Sequence, residues 1–184
     1  FVLSAGEGAT FSASKLTFNG NNSVADFILM NPNSDYSAIT LRSCNVSAYK
    51  NRLFFQPDDK KSETTINSGK ITFTDLYVSN MGTGGDCIDI RKGSASYLKI
   101  TNSTFCNGIR TVVRMDAAVK CGSVLVKNNT FYNLCYADSK DNNGILHIRA
   151  SATTVVEKNI FAGMHRASET PSQANGFPKL VSKA

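Results

Sequence analysis

The sequence predicts an all-β solenoid, short strands stacked coil upon coil, on three observations. First, the pattern of Leu98 to Asn107 (LKITNSTFCN) returns from Ile39 (ITLRSCNVSA), Ile71 (ITFTDLYVSN), Val124 (VLVKNNTFYN) and, more loosely, Thr154 (TVVEKNIFAG). Second, each copy opens with the alternation of a strand that buries one face, and no helical period competes with it. Third, a family of short apolar runs (FILM, LFFQ, IDIR, TVVR and LHIR) recurs between the copies. The steps between copies are uneven, which suits coils with variable loops better than a helical repeat array.

In chain order, FVLSAGEGATFSAS (residues 1–14) reads as a first rung or cap. Its GEG lacks the further glycines and the Lys-Ser/Thr pair of a phosphate loop. A weaker copy of the main pattern follows at Leu16 and Phe18, and ADFILMNP begins the second strand family. Within the main copies, Leu41, Phe73, Ile100, Val126 and Val156 should point inward, as should Val46, Val78, Phe105, Phe131 and Phe161 after a polar bend. In that bend Asp75, Asn102 and Asn128 occupy equivalent places, and Asn80, Asn107 and Asn133 form a second set. Asn21, Asn45, Asn102 and Asn128 also head N-x-S/T triplets, the glycosylation signal of a eukaryotic secreted chain. The repeat positions favour a structural role, because stacked Asn side chains bond along a ladder and tolerate bends. YKNR, QPDDKKSETTINSGK, MGTGGD and CYADSKDNNG are loops, and Asp138 and Asp141 in the last lack EF-hand spacing. The repeat domain is placed at residues 1–165, with RASETPSQANGFPKLVSKA (166–184) as a tail or linker.

The 184 residues suit one domain, and 41% hydrophobic with 18% charged residues can support a core. No apolar run approaches the roughly 20 residues of a transmembrane helix. The chain opens at Phe1 with neither Met nor a signal-like segment, so a processed or excised piece of something longer is expected. Five scattered cysteines (Cys44, Cys87, Cys106, Cys121 and Cys135) show no CxxC spacing and read as small core or turn residues. A formal charge of +6 with pI 9.1 raises nucleic acid as a partner, but the basic residues are spread without a recognition motif. No nucleic-acid partner is expected.

The second strand family carries the functional expectation. Aligned on its last residue, it ends at Met30, Gln56, Arg91, Arg114 and Arg149. Period two then puts Phe27 and Leu29, Leu53 and Phe55, Ile88 and Ile90, Thr111 and Val113, and Leu146 and Ile148 inside. Arg91, Arg114 and Arg149 should share the outer face with Asp89 and His147, the arginines in one column about 4.8 Å apart. Aligned guanidinium groups repel unless anions lie between them. Two sources are open: Asp86, Asp89 and Asp116 as a solvated network, or an anionic polymer gripped by the planar forks. Lys99 and Lys127 are outward on the first strand family, on another face of the coil, and His147 and Glu157 belong to no triad.

Strand, Asn-rich bend and inward Phe, as in LKITNSTFCN and VLVKNNTFYN, resemble the right-handed parallel β-helix of the pectate-lyase-like superfamily. The likeness covers roughly residues 15 to 165 and implies a single-stranded solenoid of about five to six coils. It is nearest to β-helix domains of unassigned function in glycan-handling proteins of gut bacteria, relatives of the chondroitinase-B and alginate lyase group. The resemblance implies a secreted, periplasmic or cell-surface protein whose partner is an acidic polysaccharide; a monomer that binds it without catalysis is the expectation. The alternatives are a lyase completed by segments outside this chain, and a purely structural scaffold. Such lyases use a Lys or Arg base and often calcium on the uronate carboxylate. No cofactor is expected here, since no acidic cluster in the sequence makes a calcium seat. Tyr77, Tyr97, Tyr132 and Tyr136 are the aromatics for sugar contact in a chain without Trp.

Overall fold

Each winding of the chain contributes one strand to each of three parallel sheets, giving a β-solenoid of about five turns. The computed structural model describes residues 1–58, 65–81, 86–108, 111–136, 145–166 and 180–182, and no helix occurs among them. Sheet A stacks Val2–Leu3, Asp26–Met30, Arg52–Gln56, Ile88–Ile90, Val113–Met115, Leu146–Ile148 and Leu180–Ser182. Sheet B stacks Ala9–Ser14, Tyr36–Arg42, Lys70–Thr74, Gly93–Thr101, Val119–Lys127 and Ser151–Glu157. Sheet C stacks the short strands Thr17–Asn19, Asn45–Ser47, Tyr77–Ser79, Thr104–Cys106, Thr130–Tyr132 and Ile160–Ala162. Val2–Leu3 pairs with sheet A and Ala9–Ser14 with sheet B at one end of the stack. At the other end, Leu180–Ser182 pairs with Leu146–Ile148 of sheet A.

Parallel pairing places like residues above one another, and the core is built from those columns. Leu41, Phe73, Ile100 and Val126 lie in one register column of sheet B, all buried. Val46, Val78, Phe105, Phe131 and Phe161 form the matching column of sheet C. The Phe105 and Phe131 rings stack at 5.6 Å between centroids, and those of Phe131 and Phe161 at 4.9 Å. Such aromatic columns add to burial about 0.5–1.5 kcal/mol per ring pair.

The bend between sheets B and C turns on one left-handed residue per coil. Lys15, Ser43, Asp75, Asn102, Asn128 and Lys158 have φ of 53–57°. The N–H of each of the first five donates to a carbonyl of the next coil, from Lys15 to Arg42 (3.0 Å) through Asn128 to Glu157 (3.3 Å). Asn and Asp tolerate this conformation better than other side-chain-bearing residues, which explains their recurrence. The expected side-chain stacking is present: Asn128 Nδ2 donates to Asn102 Oδ1 (3.3 Å), and Asn133 Nδ2 to Asn107 Oδ1 (2.8 Å).

One residue further on lies an inward polar ladder that the sequence reading missed. Asn129 Nδ2 donates to the Ile100 carbonyl (3.0 Å) and to Asn159 Oδ1 (3.0 Å), while Asn129 Oδ1 accepts from the Ser103 amide (3.0 Å). Ser103 Oγ continues it by accepting from the Leu76 amide (3.0 Å). Asn129 is 1% exposed, so its loss strands buried backbone groups. Asn129→Ala is expected to lower stability by about 1–3 kcal/mol in urea titration. The exposed Asn128→Ala should cost well under half of that.

Candidate functional site

The outer face of sheet A holds the chain's densest set of described ionic contacts, and its register differs from the expected one. Asp89 stands opposite Arg114, and Arg114 opposite His147, while Ile90 pairs with Met115 and Met115 with Ile148. Continuing one step along, Arg91 comes level with Asp116 and Arg149. The column of Arg91, Arg114 and Arg149 is therefore not formed, because Arg114 sits two residues out of step with the other two arginines. The first two strands are offset by one residue instead, which exchanges their faces: Ile28 and Met30, and Phe54 and Gln56, point inward, leaving Leu29 and Phe55 on the outer face. Period two cannot distinguish a two-residue slip, and the ladder chooses the register that puts opposite charges side by side.

The result is a checkerboard around a buried carboxylate. Asp89 is fully buried beneath its neighbours. It accepts from Arg52 Nε (3.0 Å) and from Arg91 Nε (3.0 Å) and Nη2 (2.7 Å), with Arg114 Nε at 3.9 Å. Arg52 also reaches Asp26 (3.3 Å) and lies 3.8 Å above the Phe55 ring, a cation–π arrangement. Arg114 makes a two-pronged pair with Asp116 through Nε and Nη2, both 3.0 Å, and meets Asp86 at 3.5 Å. Of the two open sources of negative charge, the protein's own aspartates thus surround the arginines. Arg149 differs: it is exposed and has no ion pair among the described residues.

Electrostatics follow the geometry. The hydrogen bonds that Arg91 donates to Asp89 hold the Arg91 pKa above its ordinary value against the opposing effect of burial. For Arg114, burial lowers the pKa, but Asp116 and then Asp89 and Asp86 more than offset it. Asp26 is raised, burial outweighing its Arg52 partner. His147, 5% exposed, is lowered by burial and then by Arg149 and Arg114, so it is neutral at pH 7.

A lowered histidine has a signed consequence for stability. The unfolded chain takes up a proton at His147 near pH 6.5 before the folded one does. Stability from this group is thus complete above that pH and is lost as pH falls from 6.5 through the folded pKa. His147→Gln should flatten that part of the stability–pH curve, measured by denaturant midpoints between pH 5 and 8. A slope identical to that of the parent chain would refute it.

The other expected residues lie apart. Lys99 and Lys127 are on sheet B, not on the arginine face, and are out of step with each other: Lys99 pairs with Leu125, and Lys127 with Thr101. Lys127 Nζ is 2.5 Å from Glu157 and lowers its pKa, so Glu157 is balanced chiefly by Lys127 rather than by its neighbour Lys158. Tyr77 and Tyr132 are exposed on sheet C, and the Tyr136 side chain and Asp138 and Asp141 lie outside the described residues. Cys44, Cys87, Cys106 and Cys121 are free and buried, and burial pushes the Cys87 thiol up to about 12. Among the described residues no group of three or more His, Cys, Asp or Glu is arranged for a metal ion. Asp26, Asp89 and Asp116 are each paired with an arginine.

Arg52 and Asp26 were not singled out by the sequence, and Phe55 was expected inside. Their signal is positional, since Asp26 and Arg52 open equivalent strands and pair directly. Among proteins of known families, a model described as a domain of unknown function (DUF4957) matches residues 1–108. That is more than half of the chain's 184 residues.

The chain belongs to the DUF4957 family.

The DUF4957 match covers Asp26, Arg52, Phe55, Asp86, Asp89 and Arg91, whereas Arg114, Asp116, His147 and Arg149 come from the coils after it. No curated protein and no solved structure matches the chain. Among the described residues no helix is long and apolar enough to cross a membrane.

Proposed function

We propose that this solenoid is a non-catalytic module that binds an anionic polysaccharide across the outer face of sheet A, as a secreted or cell-surface monomer of pectate-lyase-like descent. The observation that carries the reading is the partly exposed Arg91 and Arg114 held from below by buried carboxylates and continued by the exposed Arg149, which has no ion pair among the described residues. Arginines fixed in this way lose little freedom when a ligand arrives, which favours recognition of a planar anionic group. Arg149 supplies a cation that no carboxylate among the described residues pairs with, and the overall charge of +6 assists capture. Parallel coils repeat at about 4.8 Å, a spacing along which an extended chain can contact several rungs. No metal is required in this reading, so a chelator should leave binding unchanged.

The test is a binding screen against alginate, chondroitin sulfate, heparin and polygalacturonate. Arg149→Ala should weaken binding by about two- to fivefold and reduce its salt dependence, as expected for a partly exposed ion pair. This variant is more informative than Arg114→Ala, which would also strip Asp116 of its partner. Unchanged affinity would remove the face from the site, and silence on every polymer would favour a scaffold.

A second reading, a uronate lyase completed outside this chain, has one observation in its favour. His147 is a neutral imidazole next to Arg114 and Arg149, and β-elimination needs a base beside cations that hold the carboxylate. New absorbance from unsaturated uronate ends in the same screen, lost in His147→Gln, would establish it.

A further inference from the structure

None of the six strands of sheet C contains Asp, Glu, Lys, Arg or His, in a chain with 20 Lys and Arg and 14 Asp and Glu residues. The nearest charges along the chain, Lys15, Asp75 and Lys158, sit in the bend two residues before the first, third and last of these strands. Hydroxyl, amide and aromatic groups make up most of the outer face instead. Asn45, Tyr77, Thr104 and Thr130 stand in one outward column, and Cys106 and Tyr132 are partners in the next.

Tyr77 and Tyr132 are 48% and 54% exposed, whereas Tyr36 and Tyr49 are buried. Both exposed rings lean onto the coil that follows. The Tyr77 hydroxyl accepts from Cys106 Sγ (3.4 Å), one strand up and two residues further along, so the ring spans two strands. A Cβ built on Gly163 would lie 3.9 Å from Tyr132 Cε2, so the second ring reaches over the next coil in the same direction. An exposure near one half fits a ring with one face on the sheet and the other open to water. Two coils separate the rings, about 10 Å at the usual strand spacing. Thr104 and Thr130 border them, partly exposed, and neither hydroxyl has a hydrogen bond among the described residues.

We propose that the outer face of sheet C binds a neutral oligosaccharide, its sugar rings stacked on Tyr77 and Tyr132. A pyranose ring has an apolar face of C–H groups and a rim of uncharged hydroxyls, which matches aromatic rings set among threonines and an exposed Asn. Tyrosine gives rigid amphipathic contact at low entropic cost, and the tip of Tyr77 is already held. Stacked nucleobases would need cations along the track for their phosphates, and these strands supply none. The site lies on a different sheet from the arginines and does not rest on the acidic-polysaccharide reading.

The chain has six Tyr and no Trp, so tyrosine emission reports on these rings directly. The test titrates the whole chain with cellohexaose, xylohexaose, mannohexaose and maltohexaose at low and high salt. At least one of the four should change the emission with an affinity that salt does not alter. Tyr77→Ala and Tyr132→Ala are each expected to weaken that binding by about two- to tenfold, Tyr77→Phe by less, and Arg149→Ala not at all. Silence with all four sugars, or binding that both alanine variants leave unchanged, would overturn the site. A dimer that Tyr132→Ala abolishes, without sugar binding, would overturn it in favour of a protein interface. Neutral-sugar binding with silence on every acidic polymer would support sheet C and defeat the acidic-polysaccharide reading, and the reverse would overturn sheet C alone.

Discussion

Asp89→Ala is expected to lower unfolding stability by about 3–4 kcal/mol, because it removes the common partner of three arginines from a fully buried position. The size follows from asymmetry. A paired buried charge contributes little net, whereas deleting one side leaves the other desolvated and repelling its neighbours. Arg91 and Arg114 can still turn partly to water, which keeps the loss at the lower end of the range for fully buried pairs. A melting temperature lower by roughly 10 °C, with the urea midpoint shifted in proportion, is the expected measurement. If Asp89 acts through the guanidinium groups, adding Arg52→Ala should cost less than the sum of the single losses. A loss below about 1 kcal/mol would show that the checkerboard is a solvated surface feature. The same variant should weaken glycan binding, because Arg91 and Arg114 would no longer be held in place.

Gly69→Ala is expected to be at least as damaging, by about 3–5 kcal/mol, and for a purely geometric reason. Gly69 has φ of +55°, and a Cβ would fall 2.2 Å from the Tyr36 carbonyl and 2.3 Å from that of Ser37. Those atoms belong to the backbone of the preceding coil and cannot rotate away. Left-handed conformation alone costs a side-chain-bearing residue about 1–2 kcal/mol, and forced overpacking adds about 1–3. Gly6→Ala is the control: nothing lies within 4 Å of its Cβ, and its effect should be within about 0.5 kcal/mol. Equal midpoints for the two variants in guanidinium titration would defeat the claim that coil spacing sets the cost.

The two expected results separate what could be read along the chain from what could not. LKITNSTFCN and its copies already carried the coil, since alternation, bend and inward Phe are local properties that each winding repeats. Asn102 and Asn128 were readable as a stacked pair for the same reason. Asn129 and Asn159 were not, because nothing local distinguishes an Asn that points into the bend from one that points out.

The arginine face was half legible. IDIR and LHIR do lie in register, and Asp89 and His147 do lie on the outer side of the sheet. TVVR was aligned by its last residue, whereas the fold aligns V-R-M-D of Val113 to Asp116 with I-D-I-R and L-H-I-R. Both alignments satisfy a period of two. Only the second places Asp89 beside Arg114, and brings Asp116 level with Arg91.

By itself, then, the amino-acid order determined the repeating unit: which residues alternate, where the chain bends, and which side chains face the core of each winding. The tertiary structure alone decided how one winding is offset against the next, and so which charges meet. The reason is physical. Alternation is set by the backbone of a single strand, but offset is set by hydrogen bonds and side-chain charges between strands 25 to 34 residues apart in sequence, and a two-residue slip leaves the local pattern unchanged.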